Sequence, residues 1–168
     1  MSENRGKKFE GVIRKSFEKV DGVSIDRLHD QTTGFKGSQN ICDFIVYKKP
    51  YEYYIECKSI RGASLPFSNI TDTQWTGLLE KSKIEGVFAG VICWWTDKDI
   101  TLYIPIQILE QMKQEDRKSY NYNALFTLQS CKSFVLNGRK KRVFFEYDMT
   151  QFFNELEKIH KKSRRRKW

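Results

Sequence analysis

Apolar residues recur at helical spacing over residues 7–20, where Phe9, Val12, Ile13, Phe17 and Val20 share one face. Asp21-Gly22 ends that helix. Residues 23–28 form a short strand, and residues 29–40, with two glycines and no periodicity, read as a loop. Residues 41–47 and 51–58 are rich in β-branched and aromatic side chains and flank Lys48-Lys49-Pro50, which predicts a hairpin. A Gly/Ser/Pro-bearing connection over 59–70 leads to Thr71. Thr71 and Gln74 have the spacing of a capping box, and Trp75, Leu78, Leu79 and Ser82 continue one helix face. The most apolar run, 86–95, predicts a central strand, turned by Asp97-Lys98-Asp99 into a strand over 100–104. Pro105 is acceptable in the first turn of a helix over 105–116. Residues 121–136 show no clear period, 142–147 read as a strand, and 149–161 as a helix carrying Phe152, Phe153, Leu156 and Ile159. This order predicts an α/β (α+β) domain whose mixed central sheet is flanked by helices.

The length of 168 residues suits one core. With 39% apolar and 30% charged residues and only 3 Pro, the chain is neither collagen-like nor wholly disordered. It has no apolar run of membrane-spanning length, and its start lacks the apolar core of a secretion signal, so a cytoplasmic protein with no membrane partner is expected. The net charge of +9 is uneven. Residues 158–168 hold seven Lys/Arg and no acid, which leaves 23 basic against 21 acidic residues elsewhere. The reading is therefore a single domain over 1–157 and a basic tail over 158–168, the tail suiting a polyanion or serving solubility alone. Cys42, Cys57, Cys93 and Cys131 form no CxxC pair, and His29 and His160 complete no zinc pattern, so buried thiols are expected.

Asp43, Glu56 and Lys58 interrupt the otherwise apolar hairpin. A buried, unpaired carboxylate loses several kcal/mol of solvation, so such residues are exposed, paired or metal-bound. A symmetric turn about Lys49-Pro50 pairs positions whose numbers sum to 99, which sets Asp43 opposite Glu56. Lys58 then shares the Glu56 face. The opposite face, with Cys42, Phe44 and Val46 against Cys57, Ile55 and Tyr53, reads as the core. A divalent cation relieves the repulsion of neighbouring carboxylates, and a lysine beside them can hold an attacking water or a phosphate oxygen. An ordinary charged cluster on a solvated sheet face fits the same residues. Glu52, beside the turn, is explained by exposure.

This pattern resembles the PD-(D/E)xK nuclease superfamily, with its restriction-endonuclease-like core. Asp43 matches the first signature position and Glu56-Cys57-Lys58 the second, with Cys42 where a Pro is usual. Within that superfamily the chain resembles the RecU-type Holliday-junction resolvases. Asn4-Arg5-Gly6 matches their N-terminal NRG, Glu10 their helix-1 glutamate, Ser64-Leu65-Pro66-Phe67-Ser68-Asn69 their Ser/Phe/Pro segment, and Gln74 the glutamine that follows. The resemblance covers roughly residues 4–120. The long stalk of those proteins has no room here, since only residues 29–40 precede the hairpin.

The resemblance implies a metal-dependent endodeoxyribonuclease that cuts branched DNA at four-way junctions by paired nicks. The products would carry 5′-phosphate and 3′-hydroxyl ends, and two symmetric cuts imply a homodimer. It implies Mg²⁺, with Mn²⁺ as substitute, on Asp43 and Glu56, with Lys58 at the attacking water. Glu10 would complete a second cation position or hold a metal-bound water, and equally fits a surface pair with Arg14. Gln74 would bond a metal-bound water or the phosphate, and equally fits the capping box alone. Phosphate contacts are expected from Arg5, Lys7, Lys8, Lys36, Arg61, Arg164, Arg165 and Arg166. Phe35 or Trp75 could stack on an opened base, and one of Trp94 and Trp95 is expected to face outward. Another PD-(D/E)xK nuclease of restriction or repair type, and a non-catalytic DNA-binding accessory protein, stay open as alternatives.

Overall fold

The hairpin and the apolar runs pair into one six-stranded sheet in the computed structural model, which describes residues 2–28, 40–127 and 132–165. The elements are α1 (Ser2–Glu18), β1 (Val23–Arg27), β2 (Phe44–Lys48), β3 (Tyr51–Ile60), β4 (Ser64–Pro66), a 3₁₀ turn (Phe67–Asn69), α2 (Asp72–Ser82) and β5 (Val87–Trp95). After these come β6 (Ile100–Pro105), α3 (Ile106–Gln114), β7 (Ser119–Asn121), α4 (Ala124–Thr127), β8 (Phe134–Val135), β9 (Gly138–Lys140), β10 (Phe145–Tyr147) and α5 (Met149–Arg165).

The sheet order is β1-β2-β3-β5-β6-β8. β3 and β5 are parallel and every other pair in this sheet is antiparallel. A parallel pair needs a crossover, and α2 supplies it. Such a central pair is covered on both faces, which explains the unbroken apolar run of β5. α2 and α3 bring Leu78, Leu109 and Met112 against Tyr54, Val91, Cys93 and Trp95 on one face. α1 and α5 bring Phe9, Ile13, Phe17, Phe152 and Phe153 against Phe44, Val46, Tyr53, Ile55 and Trp94 on the other. Gly90 marks where β6 comes closest, since a Cβ there would meet the Ile104 carbonyl at 2.5 Å and the Tyr103 ring at 2.8 Å. No helix among the described residues is long and apolar enough to cross a membrane.

The mixed α/β architecture is the expected one, and the β2–β3 register holds to the sum of 99 from Lys48↔Tyr51 to Phe44↔Ile55. Several expectations are corrected. The face bearing Glu56 is not solvated, because α2 and α3 cover it. Cys42 lies in the α2–α3 core rather than with Phe44, since the chain leaves the strand geometry before Phe44. Neither Trp94 nor Trp95 faces outward, one being buried in each core. Trp75 is also buried. Its indole donates to Glu110 at 2.6 Å and its ring lies under Lys113, so it is not poised to stack on a base. The unperiodic stretch holds short elements that tertiary contacts stabilise: β7 pairs with β4, and β8 extends the main sheet. The strand expected over 142–147 begins at Phe145 and pairs with β9.

α5 runs through residue 158, where the basic segment begins. Beyond that point Ile159 packs on the core, and His160 meets the rings of Tyr51 and Phe88 at 5.5 and 5.7 Å. Cys42, Cys57 and Cys93 are buried and unpaired, as expected, while Cys131, Phe35, Lys36 and Arg166 lie outside the described residues.

Candidate active site

β3 carries Glu56 into the interior and Lys58 to its border. The Glu56 side chain is 2% exposed and that of Lys58 21%. Both point to the side that α2 covers, where the parallel register sets Glu56 beside Val91 and Lys58 beside Cys93. Asp43 reaches the same place by a different route from the one expected. The ladder stops at Phe44↔Ile55, and the Asp43 amide donates instead to the Ile55 carbonyl at 3.1 Å. Its own carbonyl accepts from the Leu28 amide at 2.9 Å. Asp43 therefore stands at the mouth of β2, outside the ladder, and its Oδ2 accepts the Cys57 amide at 2.8 Å. That single bond sets the carboxylate against the backbone between Glu56 and Lys58.

The electrostatics follow from burial and crowding. Burial raises the Glu56 carboxyl above its ordinary range, while the Lys58 ammonium opposes the shift and Glu10 adds to it. Asp43 is pushed up to about 8, first by burial and then by the Glu56 charge, with the Cys57 amide working against both. The neighbouring Cys42 thiol is pushed up to about 12, again by burial first and then by Glu56 and Asp43. It is consequently no nucleophile at neutral pH.

Glu56 Oε1 accepts Lys58 Nζ at 2.7 Å and Gln74 Nε2 at 2.8 Å. Its Oε2 is buried and has no partner among the described residues. Gln74 closes the expected capping box and in addition reaches Glu56. Its amide NH and Oε1 close the capping box with Thr71 at 3.2 and 3.0 Å, while its Nε2 holds Glu56. Lys58 Nζ also reaches Gln74 Oε1 at 3.5 Å. The placement of α2 rests on the segment before it. β4 is pinned to β7, the Phe67 amide donates to the Lys118 carbonyl, and the Phe67 ring packs edge-on against Trp75.

Glu10 is held by Arg27 of β1 at 2.7 Å, and Arg14 pairs with Glu18 instead. Arg27 is a residue that the sequence did not single out. Its only signal is a cation at the end of a strand, and what it faces depends on how α1 crosses β1. The remaining predicted cations are more dispersed. Arg5, Lys7 and Lys8 are exposed at the start of α1, and Arg61 is exposed just past β3. Arg164 and Arg165 belong to the last turn of α5, beyond His160, which meets Tyr51 and Phe88 at the starts of β3 and β5, the opposite end of the sheet from Lys58.

The expected three-carboxylate metal set is not assembled. Among the described residues no group of three or more His, Cys, Asp or Glu side chains could hold an ion. Glu10 is engaged with Arg27, and one oxygen of Glu56 with Lys58 and Gln74. A smaller donor set does fit a hard cation. The partnerless Glu56 Oε2 and the Asp43 oxygen not taken by Cys57 are carboxylate donors whose charges repel without one. Mg²⁺ commonly takes one or two carboxylates and completes its shell with water and substrate phosphate, so a protein cage is not required.

No protein-family profile matches the chain, and neither does any curated protein sequence. Among solved structures it is similar to Hjc of Archaeoglobus fulgidus, a Holliday junction resolvase from an archaeal hyperthermophile. The TM-score is 0.50 at 19% identity, over 70% of this chain and 89% of that one. The likeness is one of fold: a mixed central sheet flanked by helices, consistent with a restriction-endonuclease-like architecture.

Proposed function

We propose that this protein is a divalent-cation-dependent endodeoxyribonuclease that cuts four-way DNA junctions. The observation that carries the proposal is Glu56, a buried carboxylate with one oxygen held by Lys58 and Gln74 and the other unsatisfied, beside an Asp43 whose carboxyl burial and like charge have driven up. Retaining such a group in a core is unfavourable unless a ligand completes it. The likeness to Hjc favours DNA junctions as the substrate class. The NRG motif, Glu10 and the segment from Ser64 to Asn69 favour a RecU-type variant of the site.

In this reading Asp43 and Glu56 hold Mg²⁺ or Mn²⁺, which when bound polarises the phosphate, lowers the pKa of water and stabilises the leaving 3′ oxygen. The chain's own residues do the rest. Lys58 Nζ, fixed by Glu56 Oε1, orients the attacking water and offsets charge in the transition state. Gln74 holds Glu56 by the oxygen that Lys58 also bonds and so leaves the second oxygen for the cation. Arg27 holds Glu10 beside the two carboxylates, where Glu10 can orient a water. Water attack leaves 5′-phosphate and 3′-hydroxyl ends. Symmetric nicks need two such sites about a two-fold axis, hence a homodimer.

Incubating purified protein with a synthetic four-way junction and a linear duplex, with and without Mg²⁺, tests the proposal. Paired, Mg²⁺-dependent nicks in the junction that Asp43→Asn abolishes are expected. Equal cutting of duplex would instead assign a restriction- or repair-type nuclease, and tight binding without product a non-catalytic DNA-binding protein.

A further inference from the structure

The sequence between Gly138 and Val143 is Gly-Arg-Lys-Lys-Arg-Val, a second dense run of positive charge outside the C-terminal segment. β9 and β10 place it on the tip of a hairpin in which Arg139, Lys140, Lys141, Arg142 and Val143 are all exposed. Lys140 pairs with Asp99 and Lys141 with Glu146, whereas Arg139 and Arg142 make no ion pair among the described residues. Four adjacent cations repel, and Glu146, the ladder partner of Arg139, is already paired with Lys141 and Lys19.

The hairpin is held rigidly at one place. Phe144 packs on Trp94 at 5.3 Å between ring centroids, and the Tyr147 ring meets Phe9 edge-on. The Tyr147 hydroxyl bonds that of Thr101 at 2.7 Å, and the Tyr147 amide donates to Ser16 of α1. Trp94 pairs with Ser59, the residue after Lys58. It lies roughly 10 Å along the strand from the Glu56↔Val91 pair at the usual rise per residue. Phe9 precedes Glu10 in α1. The hairpin therefore stands at the same end of the sheet as Glu56 and Lys58 but on the other, α1-covered face, whereas His160 of α5 lies beside the starts of β3 and β5.

We infer that the β9–β10 hairpin is a DNA-backbone contact, with Arg139 and Arg142 gripping phosphates of the duplex arm that leads away from the cut. The inference rests on the nuclease reading above, since it takes the scissile phosphate to lie at Glu56 and Lys58. A rigid two-stranded ribbon presenting unpaired guanidinium groups suits bidentate bonding to phosphate oxygens. Such contacts set position and register rather than sequence.

The test measures binding of a fluorescent four-way junction by the full chain in EDTA, where no cutting occurs, across a series of salt concentrations. Arg139→Ala/Arg142→Ala is expected to lower affinity by roughly tenfold or more at 0.1 M salt and to reduce the log–log salt slope by about 1.8, at ~0.9 per phosphate lost. The matched control, Lys49→Ala/Lys83→Ala, removes two exposed cations from the opposite end of the sheet and is expected to leave the slope within about 0.3 of the original. Equal losses in both variants, or none in the first, overturn the hairpin contact while leaving the nuclease reading standing. Failure of the unaltered chain to bind DNA overturns both. Acetylation footprinting of the unaltered chain supplies a check free of folding artefacts. DNA should protect Lys140 and Lys141 but not Lys49, and full reactivity of Lys140 and Lys141 in the complex overturns the inference.

Discussion

Glu56 and Asp43 hold their positions at the expense of stability. Asp43 titrates near 8 in the folded chain against about 3.9 for a free aspartate, so the native state binds more protons than the unfolded state between those values. Its favourable neutral form is fully present below about pH 4, and the associated stability is lost as pH rises toward 8. Asp43→Asn keeps an oxygen for the Cys57 amide and cannot ionise. In EDTA at pH 8 the variant should therefore be more stable than the original chain by about 1–3 kcal/mol, or roughly 3–10 °C in Tm for a chain of this size, and the gap should close by pH 4. Scanning calorimetry at the two pH values checks it. Millimolar Mg²⁺ at pH 8 should raise the Tm of the original chain and leave that of Asp43→Asn unchanged.

Two elements decide whether these residues meet, and each makes its own prediction. α2 is started by Thr71 and tied to Glu56 by Gln74, so its two capping residues separate structure from chemistry. Thr71→Ala should lower stability by about 1 kcal/mol and leave cleavage near normal, because the Gln74–Glu56 bond survives. Gln74→Ala should lower stability by a similar amount and also lower cleavage by at least about tenfold, since Glu56 and Lys58 lose a common partner. Denaturant titration beside single-turnover cleavage distinguishes them. β5 makes the second prediction. A methyl at Gly90 meets the Ile104 carbonyl of β6 rather than a flexible side-chain end, so Gly90→Ala should cost about 1–3 kcal/mol and read out as a lower denaturation midpoint.

Across the whole molecule, positive charge is divided between the two ends of the sheet. The exposed start of α1, Arg61 and the β9–β10 hairpin cluster toward the Lys58 end, while α5 carries its cations to the other. The C-terminal segment is moreover not one unit, because Ile159 and His160 pack on the body before the last run of arginines. Deleting 158–168 should accordingly lower Tm as well as DNA affinity. Deleting only 163–168 should leave Tm within about 1 °C while weakening DNA binding and flattening its salt dependence. Paired melting and anisotropy measurements on the two truncations check this.

Periodicity was sufficient for α1, α2, β5 and the β2–β3 register, because each buries a whole face or stripe and a slip by one residue would expose it. The candidate site residues stood out for a related reason: a charge on an otherwise apolar strand must be exposed, paired or bound. Tertiary structure alone decided how they meet. Asp43 reaches Glu56 through a departure from the ladder and the Cys57 amide, and Glu10 is turned from its helix neighbours to Arg27 by the crossing of α1 over β1. The short strands β4, β7, β8 and β9 were illegible because two or three residues carry no period. Contacts distant in the chain hold them and also set the position of the basic hairpin, through Phe144 on Trp94 and Tyr147 on Thr101.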